Sequence, residues 1–205
     1  RSLAGHAGYV AKATGAVLLG RHLAAGGGAG LFRSGQAKIW LDRRVWATLE
    51  DSAPQVGAPE AWALGYDGAG VTVAVLDTGI DAAHPDLAAK VVAEANFSAS
   101  PDTADRVGHG THVAGIVAGT GAASGGLCRG VAPGALLMNV KVLDDDGWGS
   151  ASDVIAGMEW AAAQGADVIN VSIGAGPSDG RDPLSQAVNA VTEAYGVLVV
   201  ASAGN

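Results

Sequence analysis

A single cysteine, Cys128, in 205 residues leaves no intramolecular disulfide to form a framework, and it does not by itself decide the redox compartment. No apolar run approaches the roughly 18 residues of a membrane span. Aromatics are scarce at 5%, while 42 alanines help raise the hydrophobic share to 49%, so a core must be packed from small and branched side chains. Cations are outnumbered, 12 Lys and Arg against 20 Asp and Glu, and the net charge of -8 argues against nucleic acid as the main partner. What is abundant is glycine: 32 residues, about twice the usual share and without a collagen period, which marks turns and close backbone approaches. The length suits one domain with room for a smaller attachment.

Charge is unevenly placed. Residues 1–55 hold 7 Lys/Arg and 3 Asp/Glu, whereas residues 56–205 hold 5 and 17, a +4 segment followed by a -12 segment. The asymmetry predicts two units of opposite sign, the alternative being a basic patch on one domain. Residues 26–30, four glycines and an alanine, read as a flexible stretch, and the polar, proline-punctuated segment 50–59 reads as an exposed crossing between units. The expected division is 1–52 and 53–205. Opening on Arg1 and stopping straight after an apolar segment, the chain reads as cut at both ends, with no signal peptide in view.

Segments 71–76, 136–143, 168–171 and 197–200 are short runs rich in branched residues, the pattern of strands buried on both faces. Between them 108–119, 150–164 and 183–195 have helical length and spacing, with Ser152 or Asp153 as a cap and Gly165 as a stop. Alternation of strand and helix predicts an α/β fold, a doubly wound parallel sheet whose functional groups gather beyond the carboxyl ends of the strands.

Asp77 ends the first of these strands and is followed by Thr78-Gly79. A carboxylate there is partly desolvated and firmly held, suited to orienting a histidine or binding a metal, although Asp near Gly is also ordinary turn chemistry. The second candidate is Gly108-His109-Gly110-Thr111-His112-Val113-Ala114-Gly115, which opens a helix with two histidines three residues apart. It lacks the His-Glu-x-x-His spacing of a zinc protease, and no Cys or Glu cluster adjoins it. His112 is expected on the inner helix face as a structural histidine, and His84, before Pro85, in a loop. A dinucleotide-binding reading fails on its glycines: Gly68-Ala69-Gly70 precedes the strand, and Gly108-His109-Gly110 runs on to Val113 where a glycine is needed.

Asp77-Thr78-Gly79, His109-Gly110-Thr111-His112-Val113-Ala114-Gly115 and Ser202-Ala203-Gly204-Asn205 together resemble the subtilisin-like serine proteases. Val75-Leu76-Asp77-Thr78-Gly79-Ile80-Asp81, His84-Pro85-Asp86-Leu87, Gly130-Val131-Ala132-Pro133 and Val168-Ile169-Asn170-Val171-Ser172-Ile173-Gly174 extend the match over most of residues 58–205. The resemblance implies a serine endopeptidase in which Asp77 orients His109, His109 is the base and Asn205 is the oxyanion donor. It implies polypeptide substrates paired as a strand between Gly147-Trp148-Gly149 and Ser172-Ile173-Gly174. Trp148, where the family has a small residue, either narrows a subsite or packs on the next helix.

No Gly-Thr-Ser followed by a small residue, and no Gly-x-Ser-x-Gly elbow, occurs in the chain. The expectation is therefore a fragment, incomplete at its C-terminus and inactive alone, with a peptide-binding module that has lost its serine as the alternative. The basic leading segment, above all Lys38-Ile39-Trp40-Leu41-Asp42 through Leu49, resembles the end of a propeptide, with processing expected between Ala47 and Pro54 and a secreted product. The chemistry requires no cofactor. A structural calcium is admitted through Asp86, with its other ligands unidentified, while Asp144-Asp145-Asp146 lacks the alternating positions of a calcium loop and reads as a solvated turn. Cys128 reads as a small buried hydrophobe, the alternative being a reactive thiol.

Overall fold

The computed structural model describes residues 8–12, 18–19, 38–42, 49–174, 176 and 178–203, with side chains from Ser52 onward. The chain forms two compact units, Arg1–Ala47 and Thr48–Asn205. In the first, β1 (Gly8–Lys12), β2 (Leu18–Leu19) and β3 (Lys38–Asp42) make a sheet of order β2-β1-β3. There β1 runs antiparallel to β2 and parallel to β3.

The second unit opens on two short helices, α1 (Leu49–Gln55) and α2 (Ala58–Ala63), where the sequence had suggested an exposed crossing. The prolines do not prevent this. Pro54 falls in the last turn of α1, where the N–H it lacks costs a single bond of the helix, and Pro59 lies in the first turn of α2, where its missing N–H would have been unpaired anyway. Ala53 and Ala58 are buried, which gives the pair a common anchor in the unit.

Five parallel strands follow, β4 (Thr72–Asp77), β5 (Val91–Asn96), β6 (Leu136–Lys141), β7 (Val168–Val171) and β8 (Leu198–Ala201), in the order β5-β6-β4-β7-β8. The helices are α3 (His109–Ala118), α4 (Ala151–Ala163) and α5 (Pro183–Tyr195). Alternate residues of the strands serve opposite faces. Ala74, Leu76, Met138 and Val140 pack with Val154, Met158 and Ala161 of α4 and Val191 of α5. Val73, Val75 and Leu137 pack with Ala114 and Ala118 of α3. This is the doubly wound parallel sheet that the sequence predicts.

Small residues set the layer spacing. A side chain at Gly157 would fall 2.7 Å from a Val142 methyl and 3.1 Å from a Val140 methyl, so α4 lies directly on the sheet. The first cap of α4 is Ser150, not Ser152 or Asp153. Its hydroxyl accepts from Asp153 N–H at 3.2 Å while Asp153 accepts from Ser150 N–H at 3.1 Å, a reciprocal box in which Asp153 is the third helical residue. Gly165, at φ +84°, follows the C-terminus as expected.

Candidate active site

The sheet order fixes where chemistry can collect. Asp77 is the last residue of β4, the central strand, and β6 and β7 flank it. Segments 147–149 and 172–174 follow β6 and β7, so both leave the carboxyl edge of the sheet on which Asp77 stands.

Asp77 is fully buried, and one of its oxygens accepts from Thr78 N–H at 2.7 Å. His109 is the first residue of α3, and its Nδ1 lies 2.7 and 2.9 Å from the two Asp77 oxygens. An ionised carboxylate only accepts, so Nδ1 is the donor of this pair and Nε2 is the ring nitrogen not engaged by Asp77, in a side chain that is 49% exposed. The result is a buried carboxylate hydrogen-bonded to a half-exposed imidazole.

Two glycines make this approach physically possible. A Cβ at Gly110 would sit 3.1 Å from the Asp77 Cβ and closer still to the Gly79 carbonyl oxygen. Gly79 has φ +109°, and a Cβ there would crowd the Thr103 and Ala104 carbonyl groups. The Asp-x-Gly and His-Gly pairs in the sequence are thus halves of one contact, in which a helix start and a strand end meet backbone to backbone.

Below the dyad lies a charge that the sequence reading did not single out. Lys141 is fully buried at the end of β6, in register with Asp77. Its ammonium donates to the Thr78 carbonyl and to the Ala104 carbonyl at 3.2 Å, and pairs with Asp145 at 3.0 Å. Arg106 joins Asp145, at 3.2 Å, to Asp102, at 2.7 Å. Hydrogen bonding from Arg106 draws the Asp102 carboxyl down to about 2, and hydrogen bonding from Lys141 is the leading cause that lowers Asp145.

The three acids 144–146 do form a turn, closed by Gly147 N–H to the Asp144 carbonyl at 3.0 Å, but two of them are half-buried. Asp144 accepts from the N–H groups of Asp146, at 3.0 Å, and Trp148, at 2.9 Å, Asp145 belongs to the lysine network, and Asp146 alone is exposed. Trp148 also accepts from Asp144 N–H at 2.7 Å, so both of its backbone polar groups turn inward. Its side chain is 77% exposed, not packed on α4. Gly149 is exposed, and a Cβ there would meet Leu143 Cδ2 at 2.9 Å. On the segment after β7, Ser172 accepts from Asn170 Nδ2 at 3.0 Å, the Ile173 carbonyl accepts from the Ser202 hydroxyl at 2.9 Å, and Gly174 has open space beside it. Asn205 lies outside the described residues.

His112 is exposed, contrary to the inner-face expectation, because Gly110, Ala114 and Ala118, each one turn apart, occupy the buried stripe of α3. It lines a cavity of about 300 Å³ with His84, Asp86, Leu87 and the half-buried Cys128. The Asp86 carboxylate accepts from Ala123 N–H at 2.7 Å, and its carbonyl from Thr120 N–H at 3.1 Å, so it braces the short turn 122–124. Among the described residues no group of three His, Cys, Asp or Glu side chains is arranged to hold a metal ion. Among the described residues no helix is long and apolar enough to cross a membrane.

Comparison with known proteins identifies the family. A family model described as the subtilase family matches residues 68–205. Subtilisin DY of Bacillus licheniformis is 47% identical over 159 residues, which cover 77% of this chain and 56% of that protein. Subtilisin Savinase of Lederbergia lenta is 49% identical over 152 residues, 74% of this chain and 54% of its own length. The major intracellular serine protease of Bacillus subtilis (strain 168) is 42% identical over 163 residues, 77% and 50% respectively. The chain spans about half the length of the curated relatives it matches. With two thirds of its residues under the family model and nearly half identical to named subtilisins across that stretch, the chain belongs to the subtilase family of serine proteases.

Proposed function

We propose that the protein containing these residues is a serine endopeptidase, with Asp77 and His109 as two members of its catalytic triad. The observation that carries this reading is the pairing of a fully buried Asp77 with a half-exposed His109 through Nδ1, at 2.7 Å. Asp77 fixes the tautomer and stabilises the imidazolium. His109 Nε2 takes the proton of a serine hydroxyl as the hydroxyl oxygen attacks a peptide carbonyl, and then passes it to the leaving amine. The nucleophile is supplied from outside these 205 residues, none of which lies in a Gly-Thr-Ser motif followed by a small residue.

By the family resemblance Asn205 is the oxyanion donor, a role worth about 3 kcal/mol in sites of this type. The substrate enters as an extended strand between 147–149 and 172–174. Support comes from the place of both segments at the carboxyl edge of the sheet and from the exposure of Trp148 and Gly149 there. The basic leading segment is the end of a propeptide, and the mature enzyme is secreted. No step runs through a metal.

The test is fluorophosphonate labelling of the protein expressed from its complete coding sequence. Covalent labelling with hydrolysis of a peptide substrate, both lost on His109→Ala, is the expected result. A folded protein that binds peptides without labelling is instead a subtilase-like peptide-binding module, and the endopeptidase reading is then wrong.

A further inference from the structure

Helix α3 begins without a cap of its own. Its cap residue is Gly108, at φ +90°, which has no side chain to satisfy the open N–H groups of the first turn. The missing acceptor comes from three residues upstream. One oxygen of Asp105 accepts from Gly108 N–H at 2.7 Å and Val107 N–H at 3.0 Å, and the other accepts from Thr111 N–H at 2.8 Å and the Thr111 hydroxyl at 2.6 Å. His109 stands between the two residues so held.

The same carboxylate reaches the other half of the dyad. The Thr78 hydroxyl donates to Asp105 at 2.8 Å and accepts from Gly110 N–H at 3.0 Å, while Thr78 N–H donates to Asp77. Asp81 N–H adds a further tie to the Thr111 hydroxyl at 2.9 Å. Asp105 thus receives five hydrogen bonds from two chain segments, one carrying Asp77 and one carrying His109. Partial burial raises its pKa, but hydrogen bonds led by those from Thr111 outweigh this and hold the carboxyl below its usual value. It therefore stays ionised at the helix N-terminus, where negative charge is favoured.

We infer that Asp105 is the positioning residue of the Asp77–His109 dyad: it touches no reacting atom but sets the distance between the strand end and the helix start. Its effect on turnover rests on the endopeptidase reading, whereas its effect on the dyad does not. Asp105→Asn is the discriminating change. An amide presents one oxygen, yet backbone N–H groups face both oxygens of Asp105, so either orientation of the amide sets an NH2 group against a donor.

Two readouts on the complete protein separate the possibilities. The first is the low-field proton resonance of the hydrogen-bonded His109 Nδ1–H, in protein whose circular dichroism matches the parent. The second is kcat and KM on a peptide substrate. Asp105→Asn is expected to abolish the resonance and lower kcat about tenfold to hundredfold, with KM within about twofold, as displacement of a catalytic pair does. Asp102→Asn, a loss of negative charge three residues away on the exposed Arg106 pair, is expected to leave both readouts unchanged. Retention of the resonance and of kcat in folded Asp105→Asn overturns the inference while leaving the endopeptidase reading intact. If the parent hydrolyses no peptide, that reading fails and the resonance alone decides the role of Asp105. If Asp105→Asn does not fold, Thr78→Val cuts the single link from Asp105 to the strand end, and an unaltered resonance there overturns the inference equally.

Discussion

Replacing Gly110 with alanine adds one methyl group at the place where α3 meets the end of β4. The new Cβ would lie closer than 3.0 Å to the Gly79 carbonyl oxygen, where ordinary contact begins at 3.4 Å. It would also lie 3.1 Å from the Asp77 Cβ and 3.2 Å from an Asp77 oxygen. All three neighbours are held: Gly79 is backbone, and Asp77 is buried and hydrogen-bonded. Relief therefore needs the helix start to move away from the strand end by more than about 1 Å, at the ~1–3 kcal/mol typical of an overpacked core. His109 is next in sequence to Gly110 and moves with it, so its hydrogen bonds of 2.7 and 2.9 Å to Asp77 lengthen. Urea unfolding followed by tryptophan fluorescence should show the destabilisation. Peptide turnover by the complete protein should fall by about tenfold to hundredfold, since displacement of a reacting pair by an ångström costs roughly 10²-fold. A Gly110→Ala protein of parental stability and turnover would refute the claim that these glycines exist to let the two segments touch.

Lys141→Met removes the donor to the Thr78 and Ala104 carbonyl groups and should destabilise the protein by about 1–3 kcal/mol in urea unfolding, with turnover reduced because the turn after Asp77 loses its anchor. Ser150→Ala breaks the capping box of α4 and should cost about 1 kcal/mol in the same assay, with no change in KM. Asp102, drawn down to about 2 by Arg106, contributes stability that is present above its ordinary value of 3.8 and is lost as pH falls through the folded value. A carboxyl carbon titration should place its midpoint near that value, and Arg106→Gln should return it toward 3.8.

The parts of this molecule that were legible in its sequence are those where one residue type has one physical use. Strand 168–171 and helix 183–195 emerge with the bounds expected, the first because a branched run between polar segments has no other home. The second is bracketed by Asp182, which caps it, and Gly196, which ends it at φ +72°. Strand β5 went unread because its Val-Val-Ala-Glu-Ala-Asn carries few branched residues and lies at the sheet edge, alternating between half-buried and exposed. The same limit hid the supports of the dyad. Asp77 and His109 were marked by their motifs, but Asp105 and Lys141 act through partners distant in sequence, and only the folded chain brings Thr78 to both. A lysine at the end of an apolar run and an aspartate four residues before a helix-opening histidine are the local traces they leave. His112 shows the opposite failure, since a motif position suggested burial and the small-residue stripe of α3 decided otherwise.

The central claim is that Asp77 and His109 work as a catalytic pair, and the most direct measurement is peptide turnover by the complete protein carrying Asp77→Asn. The account predicts an intact fold and a loss of about 10⁴-fold, because an asparagine in this place favours the wrong imidazole tautomer. Near-parental turnover in a folded Asp77→Asn protein would contradict it.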